Sequence, residues 1–159
     1  MQLKLETDIA KSHAVSAFGE ANEGKGRNHV MDSFIDVDLT SAQILALHTT
    51  DVELVPAPGE GKILVFKGAQ VYLDYLGTAY AGTSETISLI YDTGATVGTI
   101  TEAFLESTAD AYQRVEPVTA VCLANKGIMA HAAAQITTGT GTLRIRVYYQ
   151  VVTADLSAI

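Results

Sequence analysis

A chain of 159 residues, 48% hydrophobic and 18% charged, has room for one core and belongs with folded rather than disordered proteins. The formal net charge is −8, and the ten Lys and Arg residues are scattered singly, so no basic patch is available to neutralise phosphates and nucleic acid is not expected as a partner. The single cysteine, Cys122, excludes an intrachain disulfide and fits folding in a reducing compartment. No apolar run approaches a membrane span or a signal peptide, so neither a membrane association nor general export is expected.

In chain order, the texture changes near residue 33. Residues 1–33 read as an extended N-terminal arm: their apolar residues, Leu3, Leu5, Ile9, Val15 and Phe18, are too sparse to form a core, and GEANEGKGRN at 19–28 has the composition of a loop. Within it, GEANEGKG has the outline of a phosphate loop. It places Gly26 where a Ser or Thr would hold magnesium, and no apolar strand leads into it.

Residues 34–159 read as a β-barrel domain. FIDVDL puts Ile35, Val37 and Leu39 on one face and Asp36 and Asp38 on the other, the period of a half-buried strand. A short helix follows over SAQILALH, with Thr40 and Gln43 as a capping box and Leu39 stapled to Ile44. VELVPA and the turn PGEGK lead to KILVFKGAQVYLDYL. There Ile63, Val65, Val71, Leu73 and Tyr75 alternate, and Gly68-Ala69 marks a bulge or tight turn.

ETISLIY is the next strand, and a second short helix in VGTITEAFLES is expected to be capped by Thr99 with Glu102. VEPVTAVCLA, GIMAHAAAQI and TLRIRVYYQVV complete the strands. The first places Val118, Ala120, Cys122 and Ala124 on one face, and ITTGTGT before the last reads as a hairpin turn. The last strand opposes Leu143, Ile145, Val147 and Tyr149 to Arg144, Arg146, Tyr148 and Gln150. Short strands, glycine-rich turns and one or two short helices specify an all-β, jelly-roll-like sandwich or barrel. Parallel βαβ architectures need longer helices than these.

Asp92-Thr93-Gly94-Ala95 in LIYDTGATVG has the form of half an aspartic-protease dyad, which a single copy per chain allows only in a symmetric dimer. The second apolar-apolar-Gly segment of such enzymes is missing, and the same residues make a favourable turn with Gly94 at positive φ. The four histidines, His13, His29, His48 and His131, show no metal-ligand spacing. His48 reads as a partner of the first helix's C-terminal dipole, and His131 as a strand-face or interface residue. Asp36, Asp38, Glu102 and Glu106 read as solvated faces, and no Gly-x-Ser-x-Gly elbow exists. No enzyme activity, cofactor or metal is expected.

LTSAQILALHTTDVELVPAPGEGKILVFKGAQVYLDYLGTAYAG, with GTLRIRVYYQVV downstream, resembles small virion proteins of tailed bacteriophages of the capsid decoration, or cement, type. The pieces that carry the resemblance are Glu53 to Gly59, Leu76 to Tyr80, and Arg146 to Val151, within residues 34–152. The resemblance implies a non-enzymatic jelly-roll protein of the virion exterior, assembled in host cytoplasm, commonly trimeric and bound to the major capsid protein. The arm, through Leu3, Leu5, Ile9, Val15 and Phe18, is then expected to contact capsid or a neighbouring copy, and Arg144, Arg146 and Tyr148 to serve self-association. A tail-associated or receptor-binding β-domain is the alternative, which exposed aromatics around Tyr75, Tyr80 and Tyr112 would favour; the dimeric protease is the more distant one.

Overall fold

A computed structural model describes residues 33–155 apart from Thr83, Glu85 and Thr93, all within one compact unit of the chain. The expected arm residues Leu3, Leu5, Ile9, Val15 and Phe18, the phosphate-loop outline, His13 and His29 lie outside the described residues.

The described residues form an antiparallel ribbon doubled back on itself and rolled into two main sheets. The nested pairs are β1 (Ser33–Leu39) with β10 (Gly141–Thr153), β2 (Val52–Val55) with β8 (Ile128–Ala132), β3 (Lys62–Tyr75) with β7 (Ala111–Val115), and β5 (Ile87–Tyr91) with β6 (Thr96–Ile100). Lateral pairing of β10 with β3 and of β5 with β8 completes two four-stranded sheets, ordered β1-β10-β3-β7 and β2-β8-β5-β6. This is the jelly-roll order, and the all-β expectation holds. A small separate pair joins β4 (Ala81–Gly82) to β9 (Ile136–Thr138). ITTGTGT is therefore β9 and its link to β10, not a hairpin turn: its strand residues pair with β4.

Two short helices occupy connections. α1 (Ser41–Ala46) has the full capping box: Gln43 N–H donates to Thr40 Oγ1 at 3.3 Å and Thr40 N–H to Gln43 Oε1 at 3.0 Å. Leu39 and Ile44, the expected staple, are both fully buried. α2 (Glu102–Leu105) has Thr101 at its N-cap position, without a side-chain cap bond; Thr99, the expected cap, lies within β6. The Thr101 backbone N–H and hydroxyl both donate to Gln113 Oε1, whose amide in turn donates to the Thr99 carbonyl. Gln113 thereby ties β7 to β6 and covers an edge that would otherwise offer unpaired backbone.

The core lies between the sheets. Leu143, Ile145 and Val147 of β10 face Ile87, Leu89, Ile128 and Ala130 of the other sheet in one buried cluster. β3 is a single long strand whose inward set changes parity at Gly68. Leu64 and Phe66 point inward before it and Ala69, Val71 and Leu73 after it, so the alternating set Ile63, Val65, Val71, Leu73 and Tyr75 does not share one face, and Ile63 and Val65 are only half-buried. The facing irregularity in β10 falls between Tyr148 and Tyr149. Gly68 has φ +129°, and a Cβ there would meet the Val115 carbonyl oxygen at 3.1 Å, which is why a glycine occupies this bulge.

The expected strand over VEPVTAVCLA does not form. Val118 N–H donates to the Val97 carbonyl, and Ala124 makes one bridge to Ile63, but the run between is a connection without strand pairing. Ala120 and Cys122 pack against the core, while Val118, Val121 and Leu123 are exposed. Pro117, which has no N–H to donate, opens this departure from the sheet.

Candidate interaction face

Side chains that alternate away from the core along β1, β10, β3 and β7 form one outward face, and the strand register arranges them in rows. Phe34 lies opposite Tyr148; Asp36 opposite Arg146, then Gln70, then Arg114; Asp38 opposite Arg144, then Tyr72, then Tyr112. Sequence reading placed Arg144, Arg146 and Tyr148 together, and the structure keeps them together.

Their partners make the face rigid. Arg146 grips Asp36 through two parallel bonds, Nε to Oδ1 at 2.7 Å and Nη2 to Oδ2 at 2.8 Å, and Arg144 holds Asp38 through Nε at 2.9 Å and Nη2 at 3.4 Å. Asp36 and Asp38 are thus fork partners of arginine, not simply solvated carboxylates. The Arg146 fork holds the Asp36 carboxyl below the usual range, and Asp36 raises the Arg146 guanidinium further. The same guanidinium lies 4.7 Å from the centre of the Phe34 ring, which tilts against Tyr148 at a centroid distance of 6.2 Å. Tyr148 donates its hydroxyl to Gln70 Oε1 at 3.2 Å.

At the β7 side, Asp110 accepts the Tyr75 N–H at 3.0 Å and the Tyr72 hydroxyl at 2.9 Å. Those two bonds hold the Asp110 carboxyl low, and Asp110 in turn pushes the Tyr72 phenol up. Between these groups lies a shallow depression of about 140 Å³, bordered by Asp36, Gln70, Tyr72, Tyr112, Arg144 and Arg146.

Phe34, Tyr72 and Tyr112 were not among the residues singled out for this face. Outward parity on their own strands is readable, but their meeting depends on a register between segments far apart in sequence. Of the aromatics that were singled out, Tyr112 is exposed, Tyr75 is half-buried, and Tyr80 is core. The Tyr80 hydroxyl donates to the Gly141 carbonyl at 2.9 Å, and burial pushes the phenol up to about 12.

The outer face of the other sheet carries smaller side chains around a hollow of about 410 Å³ that includes Ser88, Ile90, Asp92, Thr96 and His131. His131 Nδ1 lies 2.7 Å from Asp51 Oδ1. Ser88 stands opposite His131 in the β5–β8 register, and among the described residues no hydrogen bond joins its hydroxyl to the ring. No group of three or more metal-ligating side chains occurs among the described residues, and no described helix is long and apolar enough to cross a membrane.

Asp92 and Gly94 lie in the connection from β5 to β6, where the ribbon doubles back. Gly94 has φ +90° and donates its N–H to the Tyr91 carbonyl at 2.8 Å; Tyr91 donates to Ala95 at 2.9 Å. Asp92 is exposed, with Lys126 Nζ 3.7 Å away. His48 lies beyond the end of α1, its Nδ1 3.4 Å from the Ala132 carbonyl oxygen, and so is a link to β8 and not a helix-dipole partner. Cys122 is half-buried, 3.1 Å from the Tyr91 hydroxyl.

No family model matches the chain, and no curated protein matches it. Among solved structures it is similar to a chain of the cyanophage Pam1 capsid asymmetric unit, with 18% identity and a TM-score of 0.47 over 74% of this chain and 81% of that one.

Proposed function

We propose that this chain is a structural virion protein that decorates and cements a bacteriophage capsid, bound as a trimer to the outside of the major capsid protein shell after folding in host cytoplasm. The reading rests on the sequence resemblance over residues 34–152 and on one observation: the outward face of the β1-β10-β3-β7 sheet. In a chain of net charge −8, this face gathers the three described arginines with exposed aromatic rings and pairs each arginine internally with a carboxylate. Charges already satisfied within the chain can be covered with little unpaired residue, and aromatics with arginine are the side chains that interface centres favour. The Phe34–Arg146–Tyr148 corner is the contact with a neighbouring copy, with Arg144 beside it. The arm, through Leu3, Leu5, Ile9, Val15 and Phe18, reaches a capsid subunit or a second copy.

The test is addition of the purified chain to shells assembled from major capsid protein alone. Saturable co-sedimentation, a higher temperature of shell disruption and density at three-fold positions are the expected results. Deleting residues 2–30 weakens attachment on this reading, and Arg146→Ala with Tyr148→Ala lowers the trimer fraction in sedimentation. A chain that leaves shells unbound, or that forms a stable two-fold dimer, overturns the proposal. Detection on tails alone in intact particles selects the tail-associated alternative.

A further inference from the structure

The depression beside Tyr72 and Tyr112 has a different chemistry from the Phe34 corner. The two tyrosines face each other across the β3–β7 register and are 42% and 60% exposed. The bond from Tyr72 to Asp110 fixes one ring with its hydroxyl tied at the far end. Arg144 continues the row, and Gln70, Asp36 and Arg146 border it on one side.

Every charge bordering the depression is matched. Arg144 and Arg146 are locked to Asp38 and Asp36, so an anion that approaches a guanidinium also meets a carboxylate, and a cation meets the reverse. A nucleotide phosphate in particular would face Asp36. A neutral ligand with one apolar face and a rim of hydroxyls meets no such conflict. Its C–H face stacks on a tyrosine ring, and its hydroxyls use what the forks leave over: an ionised carboxylate offers about four acceptor sites and a guanidinium five N–H donors, of which each fork consumes two. These planar groups are already held in place, so little side-chain freedom is lost when a ligand is bound.

We propose that this depression binds a neutral glycan, with a pyranose ring stacked on the Tyr72–Tyr112 pair and its hydroxyls read by Arg144, Asp36 and Gln70. The site adjoins the corner assigned above to a neighbouring copy and shares Arg146 with it, while its stacking pair, Tyr72 and Tyr112, lies two rows along the strands from Phe34 and Tyr148. It holds whether or not the chain sits on a capsid.

The experiment is an amide NMR titration of the full chain with neutral hexasaccharides built from glucose, mannose, galactose or N-acetylglucosamine, and with a uronic-acid hexasaccharide as a charged comparison. At least one neutral sugar is expected to give saturable shifts centred on Gln70, Tyr72, Tyr112 and Arg144, with a Kd of about 1 mM, as befits a shallow site. The charged sugar is expected to give none there. Tyr112→Ala and Tyr72→Ala, with otherwise unchanged spectra, each weaken binding by roughly tenfold or more. The proposal is overturned by silence across the neutral panel, by shifts centred elsewhere, or by affinity that survives both tyrosine substitutions. Concentration-dependent shifts at Tyr72 and Tyr112 without sugar also overturn it, since they identify a second copy as the occupant.

Discussion

β10 is one strand with two unlike sides. On the inner side Leu143, Ile145 and Val147 have no exposed surface and interlock with the opposite sheet; on the outer side Arg144, Arg146 and Tyr148 are bound to neighbours on β1 and β3 while remaining in contact with water. The two sides are ordered by different physics. Inside, order comes from close packing of shapes that have nowhere else to go. Outside, it comes from directed pairs, each weak because water competes for the same groups. Stability and association are therefore separable in this strand, and substitutions on its two sides are expected to have effects of different kind and size.

The largest effect is expected from Ile145→Ala. Removing a fully buried branched side chain leaves a cavity between the sheets and costs about 2–5 kcal/mol in denaturant unfolding. Arg144→Ala, one residue away, is expected to cost far less, because its pair with Asp38 is exposed to water. If the two costs proved equal, the division between the sides would be wrong.

Next in size is an alkaline transition that belongs to the interior alone. The Tyr80 phenol rises from 10.0 to about 12 because burial disfavours its charged form. Its folded value lies above its unfolded one, so the stabilisation is full below pH 10 and is lost as pH climbs to about 12, on the order of 2 kcal/mol across that window. Tyr91 shifts in the same direction, first through burial and then through Cys122. Tyrosine ionisation followed in the ultraviolet should show these phenols titrating together with unfolding, and Tyr80→Phe should remove part of the coupling.

A smaller effect tests the outer pairs. A double-mutant cycle of Asp36→Asn and Arg146→Gln should give only a small coupling, because both groups are solvent-exposed despite their good geometry. Asp36 has a depressed carboxyl pKa, so the pair contributes above the ordinary carboxylate range and is lost as pH falls below about 4 toward the lowered folded value. The coupling should persist at pH 5 and fade in stronger acid. High salt should weaken it as well.

What was legible in the sequence follows the same inner and outer division. Period-2 alternation exposed both sides of β10 and β1, and the capping box located α1, because those signals are carried by residues adjacent in sequence. Gly68-Ala69 marks the parity change in β3, but local pattern does not say which residues face inward before it, because Ile63 and Val65 are as apolar as the buried Leu64 and Phe66. Apolar alternation likewise suited a strand over residues 115–124, where Pro117 and the lack of a neighbouring edge leave a connection. The face was half visible. Arg144, Arg146 and Tyr148 share a strand, whereas Phe34, Tyr72, Tyr112 and Asp110 join them only through cross-strand register and one side-chain bond, which no local pattern encodes.

The smallest effect is expected at the turn that joins the innermost strand pair. Asp92→Asn keeps a side-chain oxygen for turn geometry and removes a charge whose cationic neighbour, Lys126, is 3.7 Å away across an exposed surface, so the change in stability should stay within about 0.5 kcal/mol. The conformational demand of the turn falls on Gly94, whose φ of +90° the substitution leaves untouched. A catalytic dyad makes the opposite demand. It requires two carboxylates sharing one proton in a dry cleft, and an amide in place of either abolishes proton transfer altogether. A denatured protein substrate incubated with the chain between about pH 4 and pH 6, where such a dyad works, should remain intact. Cleavage that disappears in Asp92→Asn would mean that this turn has a partner Asp92 from a second chain, and the assignment of the molecule as a structural protein would have to be abandoned.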